Sequence, residues 1–343
     1  MNARGFNVLG LVLVGVIGLA FMILTPRLAE LDTVLDLTVY MIMAVLALSL
    51  ALIWGYGGIL CFGQSAFFGL GAYTYAIAMF NIGESTLPLL LAIILPAAFA
   101  ALLGYFMFYG RISDAYIGVI TLTVSVILFE LVNSTSGDQY RIGRAAIGGF
   151  NGIPAVPAIN IPGEPGDQLD PIGIWYVTMG LLIAVYVLLR AVVASRFGRV
   201  VIAIRENETR ATLLGYDPRL YKLLAFTLSA AIAGLAGCLY VNWGAFISPT
   251  IFGLPMSAEV IIFVLVGGLG TLVGPILGAV GLQYLVTLAG TQDAVNPNLG
   301  LGIVLVGFVL LVPQGVVPLL RDRLCRVVPR RGTRQAALPE TAS

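Results

Sequence analysis

The 343-residue chain contains no histidine. That excludes imidazole-based zinc sites, histidine general bases and Ser-His-Asp triads. Its single lysine, Lys222, follows Tyr221, so no Gly-Lys-Ser/Thr phosphate loop exists and ATP is not bound by this chain in that way. The three cysteines, Cys61, Cys238 and Cys325, share no spacing pattern; two lie in apolar stretches and one in a basic tail. We read them as small hydrophobes rather than metal ligands or a disulfide. Charge of either sign is scarce, at 10% of residues, where a soluble domain carries about 25%. With 59% hydrophobic residues, the chain has too few polar side chains to cover a water-exposed surface. Most of it must face lipid or other helices, which defines a polytopic membrane protein.

What is present is apolar runs. A spanning helix needs about 20 largely apolar residues. Runs at roughly 6–24, 37–54, 58–80, 87–109, 115–133, 172–193, 222–241 and 299–319 meet that length. The first is read as a retained helix, because Arg4 is its only early basic residue and TPRLAELD offers no small-x-small cleavage site. Of the 18 basic residues, six lie in 196–222 and six in 321–334. Basic loops stay inside, so both segments, with Arg4 and Arg111, are expected to be cytoplasmic. The loop 134–170 and the acidic turn Glu30–Asp36 then fall outside. Parity requires the glycine-rich region 257–290 to cross twice or to dip in and return, with a break at Gly267–Pro275. The expected fold is an all-α transmembrane bundle of about ten spans with broken or re-entrant glycine-rich segments and both termini cytoplasmic. One permease domain covers 1–320, and 321–343 forms a basic tail.

A second glycine-rich segment, WGYGGILCFGQSAFFGLGAY, runs from Trp54 to Tyr73. Small residues let helix backbones approach closely, and broken helices inside a membrane are tolerated where they are protein-buried or line a cavity. One such segment in each half points to a solute path near a repeat interface. The candidate path residues are Gly63, Gln64, Ser65, Thr121, Thr123, Gly268 and Gly270, with Ser125 on the same span as the threonines. Glu130 and Glu259 are the only acids inside apolar runs, and both fall near outer ends, where water solvates a carboxylate. Arg190 lies near an inner end, within snorkelling reach. An ion-driven carrier is expected to place an acid at mid-depth, and none stands there. The Gly- and Pro-rich loop 134–170 is expected to resist regular structure and to serve as a linker or an external docking surface.

The stretch SRFGRVVIAIRENETRATLLGYDP, residues 195–218, holds seven charges in an otherwise uncharged environment. Val200, Ala203, Ile204, Asn207, Ala211 and Leu214 recur at helical spacing, which predicts one amphipathic helix over about 199–215. Glu206 and Arg210 are placed to pair at i,i+4. Gly215 is placed to stop the helix, and Asp217-Pro218 to cap the next one. A bracketed amphipathic element between two spans either lies in the lipid interface or is a handle gripped by a soluble motor; the stop and the capped restart favour the handle.

This stretch, continued through RLYKLLAFTLSAAIAGLAGCLY, resembles the permease subunits of ABC importers for branched-chain amino acids. So do ALSLALIWGYGGILCFGQSAFFGLGAY (47–73), GGFNGIP (148–154), FISPTIFGLPMSAEVIIFVLVGGLGTLVGPILGA (246–279) and GIVLVGFVLLVPQGVV (302–317). The likeness covers about 35–320. It implies that the charged stretch is a coupling helix docking on a cytoplasmic ATPase, with Arg205, Glu206, Asn207, Glu208, Arg210, Ala211 and Gly215 as coupling residues. The Ala211-x-x-x-Gly215 spacing matches part of the permease signature, while Thr209 and Arg210 stand where the signature has Glu-Ala. Gln64 stands where many members carry histidine after the FG pair. The resemblance further implies a transport subunit rather than an enzyme, without metal or cofactor of its own, in the bacterial cytoplasmic membrane. Its partners would be a second permease, two ATPase subunits carrying ATP and Mg, and an external binding protein; nucleic acid is not among them. A urea or short-amide importer is the nearest alternative, and an autonomous channel or secondary carrier a more distant one.

Overall fold

The computed structural model describes residues 8–137, 139–161 and 164–290. The apolar runs become helices α1 (Val8–Leu28), α2 (Leu31–Leu50), α3 (Gln64–Ile82), α4 (Thr86–Tyr109), α5 (Asp114–Asn133) and α6 (Pro171–Ala194). The charged stretch forms α7 (Arg196–Glu206) and α8 (Glu208–Leu213), and α9 (Pro218–Gly244), α10 (Leu254–Gly267) and α11 (Val273–Gly290) follow. Six helical segments are long and apolar enough to cross a membrane: Leu31–Tyr56, α3, α4, α5, α6 and α9. The chain is a multi-pass helical membrane protein. The apolar run at 299–319 and the tail 321–343 lie outside the described residues.

Burial sorts these spans into a centre and a rim. The apolar windows of Leu31–Tyr56, α9 and α3 are 83%, 72% and 67% buried, against 28–33% for α4, α5 and α6. The centre is held by close backbone approach. A Cβ on Gly71 of α3 would collide with the backbone of Gly234 in α9, and one on Gly237 of α9 with the carbonyl of Phe68. Lipid supplies no hydrophobic drive between helices, so backbone-to-backbone contact of this kind is what holds them. Cys61 and Cys238 are fully buried free thiols within this core.

Both expected glycine-rich breaks, in Trp54–Tyr73 and at Gly267–Pro275, are present, and the chain also breaks at a place that the sequence reading did not expect. The first begins where α2 widens into a π-helical turn, Ala51–Tyr56; residues 57–63 then turn back into the bundle before α3 starts at Gln64. The unexpected one follows α9: residues 245–253 re-enter, partly as the 3-10 turn Pro249–Phe252, before α10 starts at Leu254. The two intrusions come from opposite ends and meet at mid-length, where Ser65 Oγ lies 2.6 Å from Ser257 Oγ. α10 and α11 separate at residues 268–272, with Gly268 and Gly270 at φ +104° and +77°, values glycine adopts freely.

The 134–170 loop departs from expectation. It contains two antiparallel hairpins, Arg141–Ile142 with Ala145–Ala146 and Asn160–Ile161 with Glu164–Gln168. It is also stapled to the helices. Ile153 and Ile247 exchange backbone hydrogen bonds of 2.7 and 3.1 Å, Asn160 Oδ1 accepts from Ser85 N at 2.7 Å, and Asn81 Nδ2 donates to Ile142 O at 2.9 Å. The backbone groups that glycine and proline leave outside regular elements are met by helix ends and by the 245–253 segment, a long-range solution that local propensity does not encode.

Candidate functional site

Polar side chains gather at two places. The first lies at mid-length in the centre of the bundle. Ser49 Oγ donates to Leu46 O (2.6 Å) and Ser229 Oγ donates to Ser49 O (2.7 Å). With their protons committed, both hydroxyls can only accept. The Gln64 amide therefore turns its NH2 toward them, at 2.7 Å from Ser49 Oγ and 2.9 Å from Ser229 Oγ. Its Oε1 is buried without a hydrogen-bond partner among the described residues. Beside it, Ser65 Oγ contacts Ser257 and, at 3.3 Å, Ser125 Oγ. Gln64, Ser65, Ser125, Ser229 and Ser257 are each at most 2% exposed. This network ties α2, α3, α5, α9 and α10 together.

Four of the expected path residues belong to this place. Gly63 fits against Thr121, whose carbonyl a Cβ at 63 would strike, and buried Thr121 donates to Gly118 O at 2.9 Å. Gln64 and Ser65 complete the group. Thr123 is on the opposite, exposed face of α5 and bonds Val119 O. Gly268 and Gly270 lie elsewhere, at the α10–α11 turn, where Gly270 N approaches Gly55. Ser49, Ser229 and Ser257 were not singled out from the sequence, although a hydroxyl inside an apolar run was the available signal. Glu130 is exposed, whereas Glu259 accepts from Gln283 Nε2 at 2.7 Å and is only partly accessible, so interfacial water is not its only partner.

The second place is the charged stretch. It is two helices, not the single one expected over 199–215. Asn207 is extended (φ −161°, ψ 102°) and its side chain accepts from Arg210 N at 2.9 Å, capping α8. A short polar side chain here outcompetes helix continuation. The corner removes the i,i+4 geometry between Glu206 and Arg210; Glu206 pairs with Arg205 at 3.7 Å instead. It also splits the expected stripe. Val200, Ile204 and Ala211 are buried together against Tyr221, while Ala203, Asn207 and Leu214 are exposed. Leu213 and Leu214 are 83% and 76% exposed, a pair of apolar side chains offered outward at the tip of α8.

The restart is as read from the sequence: Gly215 takes φ +88°, Asp217 accepts from Arg219 N at 3.1 Å, and Pro218 opens α9. Lys222, one turn later, reaches Glu208 at 2.8 Å and Asp114 at 3.3 Å. The sole lysine thus fastens α8 to α9 and to the start of α5, a role its uniqueness could have signalled. A cleft of about 780 Å³ opens beside this fastening, lined by Arg111, Asp114, Glu208, Tyr216, Arg219 and Lys222 among others. Arg205 points away from the cleft, its Nη1 donating to Gly55 O. Arg210 is exposed.

The profile of the family described as the branched-chain amino acid transport system permease component matches residues 33–312. The chain is 30% identical over 326 residues to the high-affinity branched-chain amino acid transport system permease protein LivM of Escherichia coli, covering 87% of this chain and 73% of that one. It is 26% identical over 267 residues to the probable branched-chain amino acid transport permease protein LivM of Methanocaldococcus jannaschii, covering 68% and 74%. Similarity to LivH of Escherichia coli is more local, 29% over 145 residues, or 42% of this chain and 46% of that one. No solved structure gives a significant match. These relatives are transport permease subunits, not enzymes. The chain belongs to the family of ABC-type branched-chain amino acid permease components.

Proposed function

We propose that this chain is one of two permease subunits of an ATP-driven importer for branched-chain or related amino acids in the bacterial cytoplasmic membrane. It has about ten spans and both termini in the cytoplasm, as the two clusters of basic residues require. An external binding protein delivers the solute, and two cytoplasmic subunits bind ATP and Mg and hydrolyse the nucleotide; the chain itself holds no cofactor. The observation that carries the reading is the α7–α8 element. It is capped at both starts by Ser195 and Asn207, stopped at Gly215, fastened by Lys222, and presents exposed Leu213 and Leu214 beside a charged cleft. A rigid element with an outward apolar tip is a docking surface for a partner. Glu206, Asn207, Glu208, Arg210, Ala211 and Gly215 shape and present it, and Arg205 anchors it from behind.

Solute passes along the glycine-interrupted segments, past Gly63, Gln64, Ser65 and Thr121. The test is co-expression with the second permease and the two ATPase subunits, followed by reconstitution with the binding protein. ATP-dependent uptake of radiolabelled leucine is expected. Failure of the chain to copurify with the ATPase subunits overturns the reading; ATP-dependent uptake of urea in place of leucine overturns the substrate class alone.

A further inference from the structure

Three pieces of the chain converge behind the α7–α8 element. The first is Arg205, in the last turn of α7. Its Nη1 donates to the carbonyl of Gly55, inside the π-helical turn that ends α2. The last carbonyls of a helix have no onward N–H partner, and a cation is favoured there by the helix dipole. The second is Gly58, at φ +74°, against which the arginine stem lies; a Cβ at 58 would come within 2.6 Å of Arg205 Cγ. Arg205 can reach the π turn because residue 58 has no side chain. The third is Gly270 at φ +77° in the α10–α11 turn, whose amide nitrogen would lie 3.1 Å from a Cβ on Gly55. From that turn α10 runs back to Ser257, which meets Ser65 in the central network. Strain or displacement in a packed, glycine-tight chain of this kind is transmitted, because there is no slack to absorb it.

Resting on the importer reading, we propose that Arg205 is not a contact for the ATPase but a clasp. It is a positioning residue that ties the driven element to the broken end of α2 and, through Gly55, to the α10–α11 turn. The planar guanidinium suits this role. It keeps its charge, offers several donors in a fixed fork and tolerates partial desolvation. Lysine can reach the same carbonyl, but as a mobile point charge with one directed bond. The Arg205–Glu206 ion pair, with both side chains well exposed, adds little holding force, so the Gly55 bond and the Gly58 contact carry the clasp.

The test reads motion at the turn directly. In the assembled importer, with Cys325→Ser and Thr271→Cys as background, ATP is expected to change the maleimide labelling rate at position 271 at least fivefold. Arg205→Ala should reduce that change to less than twofold while the ATPase subunits still copurify, and Arg205→Lys should restore part of it. Gly58→Ala, which displaces the arginine without removing it, should behave like Arg205→Ala, and the double variant should be no worse than either single one. An undiminished ATP response in Arg205→Ala overturns the clasp. So does loss of the ATPase subunits on that substitution, which makes Arg205 a docking residue, and so does the absence of any ATP response in the background protein. If Arg205→Ala fails to fold, Gly58→Ala decides alone: a retained response overturns the proposal and a lost one supports it. Failure of the unsubstituted chain to copurify with any ATPase subunit is a separate result that removes the importer reading beneath it.

Discussion

The central network and the α7–α8 element are both islands of polarity in an apolar chain, and they use their polar groups in opposite ways. In the centre, Gln64, Ser49 and Ser229 turn their donors on one another and on backbone carbonyls. At the charged end, Asn207, Asp217 and Lys222 shape the backbone, while Glu206, Arg210, Leu213 and Leu214 are left facing outward. Inside a membrane an unpaired polar group is costly, so a buried network is driven towards closure. At the surface water satisfies whatever the fold does not, which leaves side chains free for a partner. The central donors are committed and the Gln64 Oε1 stays unpaired among the described residues, whereas the periphery leaves whole side chains facing water.

The comparison can be broken most strongly at the centre. Gly71→Leu places a side chain into the backbone of Gly234, and the yield of monodisperse permease in detergent should fall more than tenfold; normal yield would show that α3 and α9 can separate without loss. Next, Gln64→Leu removes the amide that joins Ser49 and Ser229. A cost of about 1–3 kcal/mol is expected for a buried tie, read as a lowered thermal transition in detergent. An unchanged transition with altered leucine affinity would make Gln64 a solute contact instead of a tie. At the periphery, a Cβ on residue 215 meets no neighbouring atoms, but Gly215→Val must adopt a left-handed backbone at a cost of roughly 1–2 kcal/mol. Insertion should survive while transport per ATP falls, and Gly215→Asn should retain coupling; normal transport by the valine variant counts against the coupling geometry. The smallest effect is expected from Lys222→Met, about 1 kcal/mol or less for a pair whose acidic partners are half-exposed. The Lys222–Glu208 coupling, measured by a double-mutant cycle, should shrink as salt is raised.

Helices and breaks were legible because they depend on local composition. Runs of apolar residues bounded by Ser113, Asp170 and Asp217 became helices within a few residues of expectation, and the glycine-rich stretches broke where glycine was densest. The charged stretch was legible in outline and misread in detail. Its periodicity continues through Asn207, but the asparagine side chain bonds Arg210 N and turns the chain, which sent Ala203 and Leu214 to the surface. The 134–170 loop was misread for a different reason, since its hairpins are held by Asn81 and Ser85 and the segment between them by Ile247, partners far away in sequence.

By itself, then, the sequence determined that the chain lives in a membrane and that the stretch between α6 and α9 is a bracketed surface element. Those conclusions follow from hydropathy, charge and capping chemistry, all properties of neighbouring residues. Only the tertiary structure decided that Gln64 looks toward Ser49 and Ser229, that Lys222 fastens three helices, and that Arg205 turns inward to Gly55. Each of these depends on which helix lies beside which, and in this protein that is set by backbones meeting at residues such as Gly71 and Gly234.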